Sequence, residues 1–344
     1  MRKIMIENAV FAVAVAIASM VSVSGFSAAK INGDFRYRRE WVFREGAAQR
    51  NRERIRVRVN GIQPVSGNVD LVLGLASGDD DPTTRNQTLT DDFSRKPLRI
   101  DLACFQWHPL PVKGFLVTGG KMQMPFYVPG KQELVWDVDL NPEGLALSWS
   151  PSSSRIDGFL NTGYFWVEER KDAPDAMLLG IQAGFRYRFR GKAWSVRSGL
   201  GYYDYTQTKG TTPFWDASGS GNTLLNKKYL FDYNELVLSG DLQARIGGIP
   251  VALFAEGVRN LAVSTRPGGW LVALEFGKCD RPYALALRYN YRELSADCIV
   301  GKFCDSDFHN GGTDGRGHKW ILEFQAGARS VLAVAYQVNS LGLR

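Results

Sequence analysis

Residues 34–60 alternate apolar and charged side chains so regularly that they read as strands with two chemically different faces. Phe35, Tyr37, Trp41 and Phe43 fall on one side; Asp34, Arg36, Arg38, Glu40 and Arg44 fall on the other. Ile55, Val57 and Val59 alternate in the same way with Arg54, Arg56, Arg58 and Asn60. A period of two sends these sets to opposite sides of a sheet, whereas a helix would scatter the arginines around its circumference. Arg39 interrupts the apolar face, and its stem is long enough to carry the guanidinium to a headgroup near a bilayer edge.

The alternation returns along the chain. Leu236, Leu238 and Leu242 oppose Glu235, Ser239, Asp241 and Gln243; Trp270, Val272, Leu274 and Phe276 oppose Glu275. Tyr289 and Tyr291 oppose Arg288, Asn290 and Arg292, and Trp320, Leu322 and Phe324 oppose Glu323 and Gln325. About fifteen strand-like segments emerge. Short connections, such as residues 190–192 and 247–250, alternate with long polar ones at 78–96, 125–142, 206–228 and 295–317. That asymmetry is the mark of an outer-membrane barrel, with tight turns at one rim and long loops at the other. The expected fold is therefore all-β: a transmembrane, antiparallel, up-and-down β-barrel. Such barrels carry an even number of strands, which points to sixteen, with one hidden from the pattern or the chain one strand short. No linker or low-complexity segment divides residues 30–344, so they are expected to form a single domain.

The first 29 residues have a different character. Arg2 and Lys3 precede an apolar run from Ala9 to Val23 and the small residues Ser27-Ala28-Ala29. This is the order of a secretory leader, with cleavage expected after Ala29 or, alternatively, near Ser24. The run is shorter than the roughly 20 residues a membrane helix needs. Over the whole chain, a mean hydropathy of −0.20 and 12% aromatic residues suit a barrel with a polar interior. The net charge of +7 is modest and spread along the chain, which argues against a nucleic-acid partner. Cys298 and Cys304 could close a small disulfide in an oxidising compartment, or stand as incidental thiols; the four cysteines lack zinc-site spacing.

From Gly33 onward the chain resembles the family usually called putative porins, found in bacterial outer membranes. The likeness is carried by residues 33–38 (GDFRYR), 52–59 (RERIRVRV) and 134–144 (LVWDVDLNPEG). Near the end it is carried by 291–297 (YRELSAD), 305–308 (DSDF), 311–314 (GGTD) and 317–318 (GH). The resemblance implies a sixteen-stranded, pore-forming barrel in the outer membrane, with periplasmic termini and no catalytic residues or cofactor. Relatives close on a strand that usually ends in an aromatic residue, whereas this chain ends Asn339-Ser340-Leu341-Gly342-Leu343-Arg344.

The candidate functional residues follow from the alternation. Arg36, Arg38, Arg54, Arg56 and Arg58, with Arg288 and Arg292, are expected to line the pore, since facing lipid each would cost about 2–4 kcal/mol. Two compatible readings remain: a positive wall that attracts anions, or a salt-bridge network with Asp34, Glu40 and Glu53. Two acidic loops are candidates for a constriction, one carrying Asp79, Asp80 and Asp81, the other Glu133, Asp137, Asp139 and Glu143. For Asp79–Asp81, a calcium site and a solvated loop compete with that reading. His108, His309 and His318 fall in no triad or metal spacing, and no GxSxG, GxxxxGK or HExxH motif occurs. The expected function is a passive channel for small hydrophilic solutes and ions. Its partners would be outer-membrane lipid, the barrel-assembly machinery and two further copies in a homotrimer. A non-conducting structural or surface-binding barrel is the alternative.

Overall fold

The computed structural model describes residues 2–8, 29–191 and 193–343, with the side chains of 2–8 left out. It contains β1 (Arg2–Asn8), β2 (Lys30–Val42), β3 (Arg50–Ser66), β4 (Val69–Ser77), β5 (Gln87–Thr88), β6 (Leu98–Trp107) and β7 (Phe115–Lys121). There follow β8 (Glu143–Trp149), β9 (Ile156–Glu168), β10 (Ala176–Arg188), β11 (Ser195–Tyr205), β12 (Leu224–Leu225) and β13 (Lys228–Tyr229). The last six are β14 (Tyr233–Ile246), β15 (Ile249–Asn260), β16 (Gly268–Gly277), β17 (Leu285–Leu294), β18 (Gly315–Gly327) and β19 (Ser330–Leu341). Setting aside the two-residue pieces β5, β12 and β13, sixteen strands remain among the described residues.

From β2 onward, each long strand is laddered antiparallel to the next. β1 is laddered to β19 and lies alongside β2, so the two ends of the sheet meet there. Fifteen of the sixteen strands lie beyond Lys30, as the alternation predicts. The sixteenth comes from within the segment expected to be a leader. The apolar run from Ala9 to Val23 lies outside the described residues.

The period-two pattern maps onto the wall. Along β14, Leu236, Leu238 and Leu242 face outward, while Glu235, Ser239 and Asp241 are buried inside. Trp166, Trp194, Tyr202 and Trp270 are exposed aromatics of the kind that anchor a barrel at a membrane interface. His318 belongs to β18, stacked on Trp320 at 5.4 Å and bonded to Tyr289 Oη at 2.9 Å.

The interior departs from a simple polar lumen. Val237, Phe254 and Leu271 point inward and are buried because two long connections fold into the barrel. The first, residues 122–142, brings Phe126, Leu134, Val135 and Trp136 against these wall residues and Phe165 and Tyr203. Each such burial contributes about 1.5–3 kcal/mol, enough in sum to order a segment that would otherwise float over the mouth. Gly180 makes room for it, since a Cβ there would meet the Phe126 ring at 2.4 Å. The second, residues 295–314, is seated by Asn222, whose side chain bonds Ala296 O, Ile299 O and Gly301 N.

Candidate functional site

The arginines of the ladder share one face of β2 and β3, Arg38 and Arg54 buried and Arg36, Arg56 and Arg58 half-buried. The β2–β3 register sets Arg36 opposite Arg56 and Arg38 opposite Arg54. Like charges directly opposed destabilise a sheet, and carboxylates relieve them. Arg56 and Arg58 bond Asp34 at 2.8 and 2.7 Å. Glu40, wholly buried, pairs with Arg38, with Arg52 at 2.6 Å and with Arg54 at 3.6 Å. Arg38 also forms a two-pronged pair with Asp307 at 2.6 and 3.0 Å. Arg36 bonds the side-chain oxygen of Asn86. Glu53 stands apart from this network, on the outer face with Tyr37 and Arg39.

The acidic residues of the first inward segment divide. Asp139 enters the arginine cluster, 3.7 Å from Arg58 and 3.6 Å from Arg85. Glu133 and Asp137 meet Asp305 of the second segment, with oxygens from all three within 4.8 Å of one another. Arg292 and Lys319 flank that trio at 2.9 and 3.3 Å from Asp305. Burial beside Asp305 and Asp139 raises the Asp137 carboxyl to about 8, and burial raises Glu133 as well. Asp305 is buried too, but Lys319 and Arg292 hold it below the ordinary carboxylate value. A cation could be held by these three oxygens, yet the neighbouring guanidinium and ammonium already balance much of their charge.

The remaining candidates stand apart from the ladder. Glu143 is on the outer face of β8, with Leu145 and Trp149, and bonds Lys121 at 2.8 Å. A seven-residue strand begins at Glu143, so the alternation sends it away from the lumen. Asp79 and Asp80 are exposed on their loop, while Asp81 is tied to Lys302 at 3.0 Å and to Thr83. Arg292, expected on the pore wall, is fully buried; it bonds Gln132 O at 2.9 Å and covers the Phe308 ring at 4.6 Å. Arg288 does face open space, paired with Glu275 and Glu323 at 3.5 and 3.1 Å.

Cys298 and Cys304 are free thiols in this structure. Cys298 donates to Ser295 O at 3.0 Å, and Cys304 to Gly301 O and Gly312 O at 3.2 Å, which holds each within its own turn. Burial pushes both up, Cys304 to about 12, keeping them protonated and unreactive.

The sequence reading passed over Asp307 and Arg85, which complete the ladder's pairing, and a second basic stretch on the opposite wall. There Arg186 and Arg188 point inward from β10, and Arg197 from β11 lies over the Tyr127 ring at 4.7 Å. The signal was available: Phe185 and Tyr187 alternate with Arg186 and Arg188.

A family model described as putative porin matches residues 8–228 and 223–336. Among solved structures, the chain is similar to the high-pH structure of OprB from Pseudomonas putida. The TM-score is 0.54 at 10% identity, covering 85% of this chain and 88% of that one. It is also similar to a loop L8 deletion mutant of OmpT, an outer membrane protein of Vibrio cholerae. There the TM-score is 0.50 at 12% identity, covering 91% and 99%. A trimer form of in-vitro folded OmpT from the same organism gives 0.47 at 11%, covering 90% and 98%. None of the curated proteins matches the chain.

Proposed function

Because the chain belongs to the putative porin family and works as a channel of the bacterial outer membrane, we propose that it passes small hydrophilic solutes through a lumen narrowed by its two inward segments. The observation that carries this reading is the placement of residues 122–142 inside the wall, with Asp139 facing the arginines of β2 and β3. Opposed rows of fixed charge across a narrowing set both a size limit and an ion preference. The energy source is the solute's own gradient, and no residue is assigned a catalytic role.

The ladder gives a weak anion preference, since Asp34, Glu40 and Asp307 offset much of its charge. The test is single-channel conductance of the refolded protein in a planar bilayer under a salt gradient. Discrete steps with an anion-favouring reversal potential are expected, and Arg54, Arg56 and Arg58→Glu should turn the preference toward cations. A reversal potential unmoved by the triple variant would remove the ladder from selectivity. A folded, inserted barrel that never conducts would leave the structural or surface-binding alternative.

Two further expectations belong to this reading. Residues 1–29 are a leader removed on export, in which case β1 departs and β19 and β2 flank one another directly. Three copies associate through the low stretch of wall at β7 and β8. There the outward Lys121–Glu143 pair would face lipid in a lone barrel, and a neighbouring barrel would cover it.

A further inference from the structure

At the short-turn end of the lumen, a cavity of about 550 Å³ opens between β10, β14, β16 and β17. Its lining carries five basic side chains, Arg186, Arg188, Arg245, Lys278 and Arg288, against the single carboxylate of Glu275. Three have anionic partners: Arg188 with Asp157, Arg288 with Glu275 and Glu323, and Lys278 with Asp280 at 3.9 Å. Arg245 donates to Gly248 O at 3.1 Å and meets no carboxylate among the described residues. The buried Nε of Arg186 has no hydrogen-bond partner there at all.

The register sharpens the point. Arg186 lies directly opposite Arg197 across the β10–β11 ladder. The equivalent pairs on β2 and β3 are relieved by Asp34, Glu40 and Asp307. Here Asp157 stands opposite Arg186 on β9 while also pairing with Arg188, and Asp241 stands opposite Arg197 on β14 and accepts from the Tyr127 hydroxyl. That row is balanced in charge, so the cavity's surplus lies with Arg245, and an anion bridging it to Arg186 would offset it. The remaining lining is polar at Ser195 and Gln243 and apolar at Pro250 and Ala252.

We propose that this cavity is a binding station for a small organic carboxylate, its carboxylate held by Arg186 and Arg245 and its apolar body against Pro250 and Ala252. The fork of a guanidinium matches a carboxylate with two parallel bonds, and the volume lies within the roughly 300–1,000 Å³ of small-molecule sites. The inference deepens the channel reading by naming a solute class, but binding is measurable on a barrel that does not conduct.

The test is calorimetric titration of the detergent-solubilised full chain with sodium benzoate at low salt, followed by benzoate block of the chloride current. Saturable binding is expected, at least tenfold weaker in an Arg186→Gln/Arg245→Gln variant and absent for benzamide, which has the same body without the charge. Sulfate should bind more weakly than benzoate. Wild-type protein that fails to saturate, a double variant that binds unchanged, or benzamide binding equally would overturn the site. Sulfate binding as tightly as benzoate would overturn its apolar half. If the double variant misfolds, as judged by gel mobility before and after boiling, Arg245→Gln alone at the exposed strand end serves instead. Benzoate binding without conduction fails the channel and keeps the site; conduction without binding does the reverse.

Discussion

Asp137 shows how a single inward side chain ties protonation to shape. Its carboxylate oxygens accept from the backbone of Asp139 and Ser306 at 2.8 Å each, joining the two inward segments, while burial and neighbouring carboxylates raise it to about 8. A carboxyl raised in the folded state binds its proton more tightly there than in the unfolded chain. Its contribution is therefore whole below the ordinary value near 3.8 and is lost as pH climbs through 8. The expected outcome is faster tryptic cleavage after Lys131 as pH rises from about 6 to about 9, with Asp137→Asn flattening the rise. Parallel profiles for the two proteins would separate Asp137 from the segment's stability. The same residue was legible only in part. Its acidity and place in a long loop were plain, but its meeting with Asp305 depends on a fold that crosses 168 positions of chain, which no local pattern records.

Among the elements, the strands were readable; of the two inward segments, the sequence marked the acidic one at 125–142 as a candidate constriction and the one at 295–314 only as a long polar connection. β2, β3 and β14 show clean alternation because one face meets lipid and the other meets charge or water. β15 and β16 carry Phe254 and Leu271 on the inner face, where residues 122–142 cover them, so apolar side chains occupy both faces and the period fades. Trp136 anchors that covering segment. It stacks on Phe126 at 5.3 Å, meets Tyr203 edge-on at 4.3 Å and donates to Tyr205 Oη at 3.0 Å. Trp136→Ala removes all three contacts and leaves a cavity, a loss of about 3–5 kcal/mol. Because the wall's ladders do not depend on it, the barrel should still insert, with larger and noisier conductance steps. Unaltered steps would show that the segment does not set the narrowing.

At the scale of the molecule, the count of sixteen strands depends on β1, the piece of chain expected to be cut away. Mass spectrometry of the protein purified from outer membranes discriminates directly: a start at Lys30 is expected, and a chain retaining Arg2–Asn8 would sink the leader. The native mass of the same sample should be that of three copies, and a monomer would rule out the trimer. The contacts between segments carry a kinetic corollary. Arg292 bonds Gln132 O from 160 positions away, and seven wall strands lie between the two. Contacts that distant close late, after the intervening strands have paired. An assembling chain therefore passes through a wide, leaky tube before it becomes a narrow one, and the narrowing is the last thing made.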